Sequence, residues 1–210
     1  LAFLQSLSTR SEGCVCKQWL GDVILDIGVE YKHLMAIDEG ALREVILAQP
    51  DLAWKEQPLR QQNYEVHRDT ESIVLMFCDE AWPDGEVYQE KGWDRLNEVA
   101  MPLMHSILDT HYPPGGTIVR AMAAKLKAGG RIVPHRDTLP SFCMGHRIHI
   151  PITTNNGVQF NIGGKPCRLE MGNVYEINNQ SRHSVMNLGR EDRINFIFDY
   201  VPPQSPQRNQ

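Results

Sequence analysis

The apolar positions of this chain change their period about halfway along. In DEGALREVILAQ, Leu42, Val45 and Ile46 recur at helical spacing behind an Asp cap at Asp38, which predicts helix over residues 38–60. WDRLNEVAMPLMHSIL repeats the pattern with Leu96, Val99, Leu103 and Ile107 and predicts a second helix within 90–112, kinked or broken at Pro102. Between them ESIVLMFC, residues 71–78, is a continuous apolar run of strand length and reads as a buried strand. From about residue 117 the segments shorten: TIVRAMAAKLKA, RIVPHRD, HRIHIPITT, VQFNI, CRLEM, NVYEI, HSVMNL and RINFIFDYV. Gly129-Gly130, Gly163-Gly164, Gly172, Asn178-Asn179 and Gly189 punctuate them. Turns every ~8–12 residues signal a sandwich or barrel. The expected fold is mainly β with flanking helices, a jelly roll backed by an N-terminal helical layer.

Size and composition narrow the function. With 210 residues the chain suits a single domain over 1–200, with helical and strand support over about 1–115 and a β core over about 116–202. The Pro/Gln-rich tail 203–210 is expected to be disordered. A net charge of −5 and no basic stripe argue against a nucleic-acid partner. No apolar run approaches the ~20 residues of a membrane span, and the opening LAFLQSLST lacks the basic start of a signal peptide. The five cysteines are odd in number and scattered, and Cys14-Val-Cys16 lacks the spacing of a structural zinc site. Reduced thiols and a cytoplasmic location are the expectation.

Candidate chemistry centres on PHRDT, residues 134–138. A kinase catalytic loop would continue to an Asn where this chain has Phe142, and no glycine-rich loop precedes it. On a strand, His135 and Asp137 point the same way, a cis pair of metal ligands, although an H-x-D match alone is weak. His183 opens a later segment and completes two His and one carboxylate, the set used by non-haem Fe(II) oxygenases. Arg193, ten residues further on, begins an apolar strand and needs a bidentate partner there. A ligand carboxylate would serve, as would Asp192 or Glu176. In HRIHIPI, Arg147 and His149 share a strand face, so cations from two strands face one interior, which a small dianion would explain.

KLKAGGRIVPHRD, HRIHIPITTN, LEMGNVYEINN, HSVMNLG and DRINFIFDYVP together resemble the aspartyl/asparaginyl β-hydroxylase family of 2-oxoglutarate oxygenases, firmly over about 117–202. The resemblance implies a double-stranded β-helix of the cupin-like jelly-roll type, with Fe(II), 2-oxoglutarate and O2. By position it makes His135, Asp137 and His183 the metal ligands and Arg193, Arg147 and His149 the co-substrate contacts. Asp137 matches the bacterial branch with a full triad, since the animal enzymes have Gly there. The Ser that assists the far carboxylate in the animal enzymes aligns with Ala124, leaving Lys125, Ser184 or a water for that contact. The implied activity is hydroxylation of an unactivated C–H in a peptidyl Asp or Asn or a small amino-acid-like molecule, releasing succinate and CO2. The residues leave the oligomeric state unknown.

The loop 138–146 and the N-terminal half are expected to form the substrate wall. Trp54, Trp82 and Trp93 are expected to pack in the core, with the substrate mouth as the alternative, and His67-Arg68-Asp69 is expected to be structural or substrate-side. Two alternatives stand beside the hydroxylase. One is a non-catalytic metal-binding cupin, which has no need of the Arg147/His149/Arg193 set. The other is a cupin isomerase or a dioxygenase without 2-oxoglutarate, which usually uses a richer His set.

Overall fold

The computed structural model describes residues 24–56, 69–79 and 82–203. Its strands are β1 (Tyr31–Ala36), β2 (Thr70–Cys78), β3 (Val87–Gln89), β4 (Thr117–Leu126), β5 (Arg131–His135), β6 (His146–Thr153), β7 (Val158–Ile162), β8 (Lys165–Cys167), β9 (Asn173–Ile177), β10 (His183–Asn187) and β11 (Arg193–Val201). The helices are α1 (Gly40–Leu47), α2 (Trp93–His111) and the short α3 (Pro140–Met144). The strands form a seven-stranded sheet in the order β1-β9-β6-β11-β4-β2-β3 and a four-stranded sheet in the order β5-β10-β7-β8. All described pairings are antiparallel.

Strand alternation explains the layering. On β6 and β11 the residues Ile148, Ile150, Ile152, Phe196 and Phe198 turn to one side, where they bury against Leu42, Ile46, Leu96, Ala100, Met104 and Ile107 of α1 and α2. On the other side Leu126, Tyr175 and Ile177 of the large sheet meet Phe160, Ile162 and Val185 of the small one. The polar residues Arg147, His149, Arg193, Asn195 and Asp199 alternate with the helix-facing residues of β6 and β11, so they enter the space between the sheets.

Local chemistry adjusts the expected elements. The first helix stops at Leu47, well short of residue 60, because Pro50 disfavours helical backbone at the residue before it. A single 3-10 turn, Ala53–Lys55, follows. The cap position is Glu39 rather than the expected Asp38, whose Oδ1 nevertheless accepts the Gly40 N–H at 3.0 Å. Pro102 does not break α2, which runs continuously from Trp93 to His111. Pro102 and Glu98 are both exposed, so water can satisfy the carbonyl that the proline deprives of its partner. CRLEM is strand only at Cys167, and Arg168–Glu170 form a loop. The Gly163-Gly164 turn between β7 and β8 takes φ of 60° and 82°, which glycine adopts without strain.

Candidate active site

His135 ends β5 and His183 begins β10, and the two are direct partners across the antiparallel pair. Their ring centroids lie 4.4 Å apart. His135 Nδ1 meets Val133 O at 2.8 Å and His183 Nδ1 meets Ser181 O at 3.0 Å. A carbonyl only accepts, so each Nδ1 carries the proton and each Nε2 keeps its lone pair, the arrangement of a metal-ligating imidazole with its outer nitrogen held.

Asp137 reaches the same point by another route than strand alternation. β5 ends at His135, and Asp137 lies in the following loop, its backbone N–H donating to Asn179 O at 3.4 Å. Its Oδ1 is 3.7 Å from His135 Nε2 and its Oδ2 is 4.0 Å from His183 Nε2. One ligand atom from each residue falls within 4.8 Å of the others. Cis ligands at bond lengths of about 2.1 Å stand about 3 Å apart, so a small contraction would close this group around a divalent ion. Burial pushes the His183 imidazole toward its neutral, ligating form, against the pull of Asp137.

The two arginines of the interior differ. Arg147 donates from Nε and Nη2 to the carboxylate of Asp199 at 2.9 and 2.8 Å, and from Nη1 to Asp137. Burial disfavours its charge, but Asp137 and Asp199 outweigh that and raise its pKa. The dianion pocket expected around Arg147 is therefore already supplied with two internal carboxylates. Arg193 is 6% exposed and lies 5.6 Å from the Phe160 ring. Burial alone pulls its pKa down to about 10, and among the described residues no carboxylate forms an ion pair with it. The two internal candidates are engaged elsewhere. Asp192 accepts the Ala128 N–H at 2.9 Å, and Glu176 pairs with His146 at 2.5 Å and Lys32 at 3.7 Å.

Around Arg193 the interior is polar and incompletely satisfied. With its amide oxygen turned toward the cation, Asn195 accepts from Arg193 Nη2 and, at 3.0 Å, from His149 Nδ1. The other ring nitrogen of His149, Nε2, is buried with no hydrogen-bond partner among the described residues. Burial, then Arg193 and Arg147, drive the His149 pKa well below its ordinary value, so the ring is neutral. Arg193 also lines a pocket of about 730 Å³ with Phe160, Leu169, Asn155 and Gln159; none of the three candidate metal ligands borders it.

Ala124 pairs directly with Asn195, so the amide two residues after Arg193 stands beside the position where the animal enzymes carry Ser. Lys125 turns away, its Nζ 4.1 Å from the Trp54 ring and 3.6 Å from Glu71. Ser184 alternates with His183 and leaves the ligand face. Sequence reasoning missed Asn195 and Asp199, although both share the strand face of Arg193 at even spacing. Trp54 and Trp93 pack in or against the helix-side core, and Trp82 packs against Cys78, Val119, Met144 and Val201. Asp69 accepts the Arg131 N–H at 3.1 Å, while His67 and Arg68 lie outside the described residues. His105 and His111 are exposed on α2.

The loop expected to face substrate is tied down. Asn179 Nδ2 and Gln180 Nε2 donate to Phe142 O at 2.9 and 3.0 Å, and Ser141, Cys143 and Met144 are buried. The expectation of reduced thiols throughout needs correction, because Cys143 is disulfide-bonded while Cys78 and Cys167 are free. Cys14 and Cys16 lie outside the described residues, as does most of the tail expected to be disordered. No described helix is long and apolar enough to cross a membrane.

Comparison with solved structures supports the jelly-roll architecture. A 2OG-Fe(II) oxygenase family oxidoreductase from Burkholderia pseudomallei is 15% identical, with 80% of this chain and 93% of that one covered at a TM-score of 0.50. The non-heme monooxygenase ThoJ, in its nickel complex, is 14% identical over 83% of this chain and 74% of its own, at 0.53. A viral collagen prolyl hydroxylase from Paramecium Bursaria Chlorella virus-1, in its 2OG complex, is 11% identical over 84% and 98%, at 0.50. At such identities the likeness concerns the fold. No curated protein matches the chain. The description of the aspartyl/asparaginyl β-hydroxylase family matches residues 25–203, nearly the whole described length. On that match, this chain belongs to the aspartyl/asparaginyl β-hydroxylase family of oxygenases.

Proposed function

We propose that the protein is an Fe(II)- and 2-oxoglutarate-dependent dioxygenase that hydroxylates an unactivated C–H of an amino-acid-like substrate, a peptidyl Asp or Asn or a small molecule, and releases succinate and CO2. The observation that carries this reading is Arg193. A buried guanidinium without a counter-charge is costly, and a bound carboxylate removes the cost. The unpartnered His149 Nε2 lies in the same interior. These features fit a dicarboxylate whose far end lies on Arg193 and Asn195. They have no use in a metal-binding scaffold.

In this reading His135, Asp137 and His183 hold Fe(II), and three protein ligands leave room for co-substrate and O2. When bound, the metal and 2-oxoglutarate supply the oxidising chemistry, and the protein's task is placement. Val133 O and Ser181 O hold the two imidazoles with Nε2 inward. Arg193 and Asn195 would hold the far carboxylate of the co-substrate. Phe160 forms an apolar wall beside Arg193 and limits water there.

The test is to load the purified protein anaerobically with Fe(II), add 2-oxoglutarate and O2, and follow succinate against free aspartate, free asparagine and peptides containing them. Succinate that depends on Fe(II), increases with one substrate class and disappears in His135→Ala is expected. Absence of succinate from all mixtures, with no 2-oxoglutarate binding by calorimetry, would remove the proposal.

A further inference from the structure

Asp137 differs from its two companions in support. His135 and His183 are fixed by the β5–β10 pairing, whereas Asp137 sits beyond the strand end with one 3.4 Å backbone hydrogen bond. Its carboxylate needs an outside hold. Arg147 supplies one through Nη1 to Oδ2, which leaves Oδ1 facing His135 Nε2 at 3.7 Å. Arg147 is in turn aimed by Asp199, 1% exposed, which takes the other edge of the guanidinium in a two-point fork. Such a fork fixes the plane of the group as well as its position.

The far end of this chain of charges is anchored too. Asp199 also accepts from Arg120 Nη1, and Arg120 is 1% exposed. The Arg120 guanidinium stacks 4.3 Å from the Phe77 ring and 3.9 Å from that of Phe142, and its Nη2 reaches Ser141 Oγ at 3.2 Å. The Phe142 ring also lies 4.6 Å from Arg147. Arg120, Asp199, Arg147 and Asp137 alternate in sign and sum to zero. Burial pushes the Asp199 carboxyl up, but the two arginines more than reverse this and hold it at about 2.

We infer that Asp199 is a positioning residue for the metal site, acting on Asp137 through Arg147 with Arg120 and Phe142 as the fixed end. This rests on the metal reading proposed above. It also gives Arg147 a task other than the co-substrate contact implied by resemblance.

The experiment is Mn(II) titration without 2-oxoglutarate, read by the electron paramagnetic resonance signal of free and bound Mn(II), with melting curves in parallel. Wild type is expected to bind one Mn(II). Asp199→Asn should bind it roughly 10- to 100-fold more weakly, as when a partner holding a metal ligand is lost. Arg147→Lys keeps the charge but loses the fork and should weaken binding in the same way. In the double variant the Asp199→Asn loss should largely vanish, since it acts through Arg147. If Asp199→Asn does not fold, Arg147→Lys carries the test alone. Unchanged Mn(II) affinity in folded variants would overturn the inference, as would an Asp199→Asn loss that persists in full in the double variant. Wild-type Mn(II) affinity in Arg147→Lys would overturn it too and return Arg147 to the co-substrate. Failure of the wild type to bind Mn(II) would instead sink the metal reading, and this inference with it.

Discussion

Arg147 and Arg193 stand on adjacent strands of one sheet and face the same interior, Arg193 buried and Arg147 largely so, but their surroundings move them in opposite directions. Asp137 and Asp199 raise the pKa of Arg147, while burial alone lowers that of Arg193 to about 10. Both remain cationic at neutral pH. One belongs to a neutral network complete within the chain, and the other carries a charge the described chain does not balance. Burial by itself therefore does not separate a cation the fold neutralises from one it leaves unbalanced. The location of its counter-charge does.

The sharpest way to break this comparison is to remove each cation in turn. Arg147→Met leaves Asp137 without its arginine and Asp199 with Arg120 alone, and should cost about 3 kcal/mol in urea unfolding. Arg193→Met removes an unbalanced charge, and unfolding without ligand should show no loss of stability. A loss at Arg193 equal to that at Arg147 would mean that its counter-charge has been misplaced. The same Arg193→Met protein should bind 2-oxoglutarate roughly 1.5–3 kcal/mol more weakly, about 10- to 150-fold, in anaerobic calorimetry with Mn(II).

Acid probes only the balanced side. Asp199 titrates at about 2 in the folded chain against an ordinary 3.8. A depressed folded pKa stabilises above the unfolded value, so this contribution is complete above about pH 4 and fades as pH falls toward 2. Its size is on the order of 2 kcal/mol. The wild-type urea midpoint should fall more steeply across that window than that of Asp199→Asn, and parallel curves would count against the network. The smallest effect sets the baseline. The Arg95–Glu56 pair, 2.7 Å apart and partly exposed, should contribute less than about 1 kcal/mol when Arg95→Ala is unfolded at neutral pH.

The large sheet and its helical backing were legible because apolar periodicity is a local signal. Leu96 and Ile107 on α2, and the run of β2, declare their faces within a few residues. The grouping of His135 with His183 and the inward face of Arg193 are legible from spacing and resemblance. Alternation also places Asp137 beside His135, whereas a loop carries it there. Arg147 was placed on the correct face, but its partner was not foreseen. Asp199 lies 52 residues further on, and only the β6–β11 pairing brings it opposite. Pairing across that distance leaves no local trace. Nor did spacing disclose that two arginines lie against the Phe142 ring.

Strand β11 carries Arg193 at its first residue and Asp199 six residues later on the same face. At about 3.3 Å per residue the strand acts as a ruler roughly 20 Å long. Inserting or deleting a single residue between the two would turn one of them toward the helices, because strand faces alternate at every step. Descendants of this sequence can therefore accept side-chain replacements on the helix-facing positions, but changes of length within β11 are closed to them. Variation in length is left to the turns, and an insertion scan across 190–201 and 154–172 should find tolerance concentrated in the second segment.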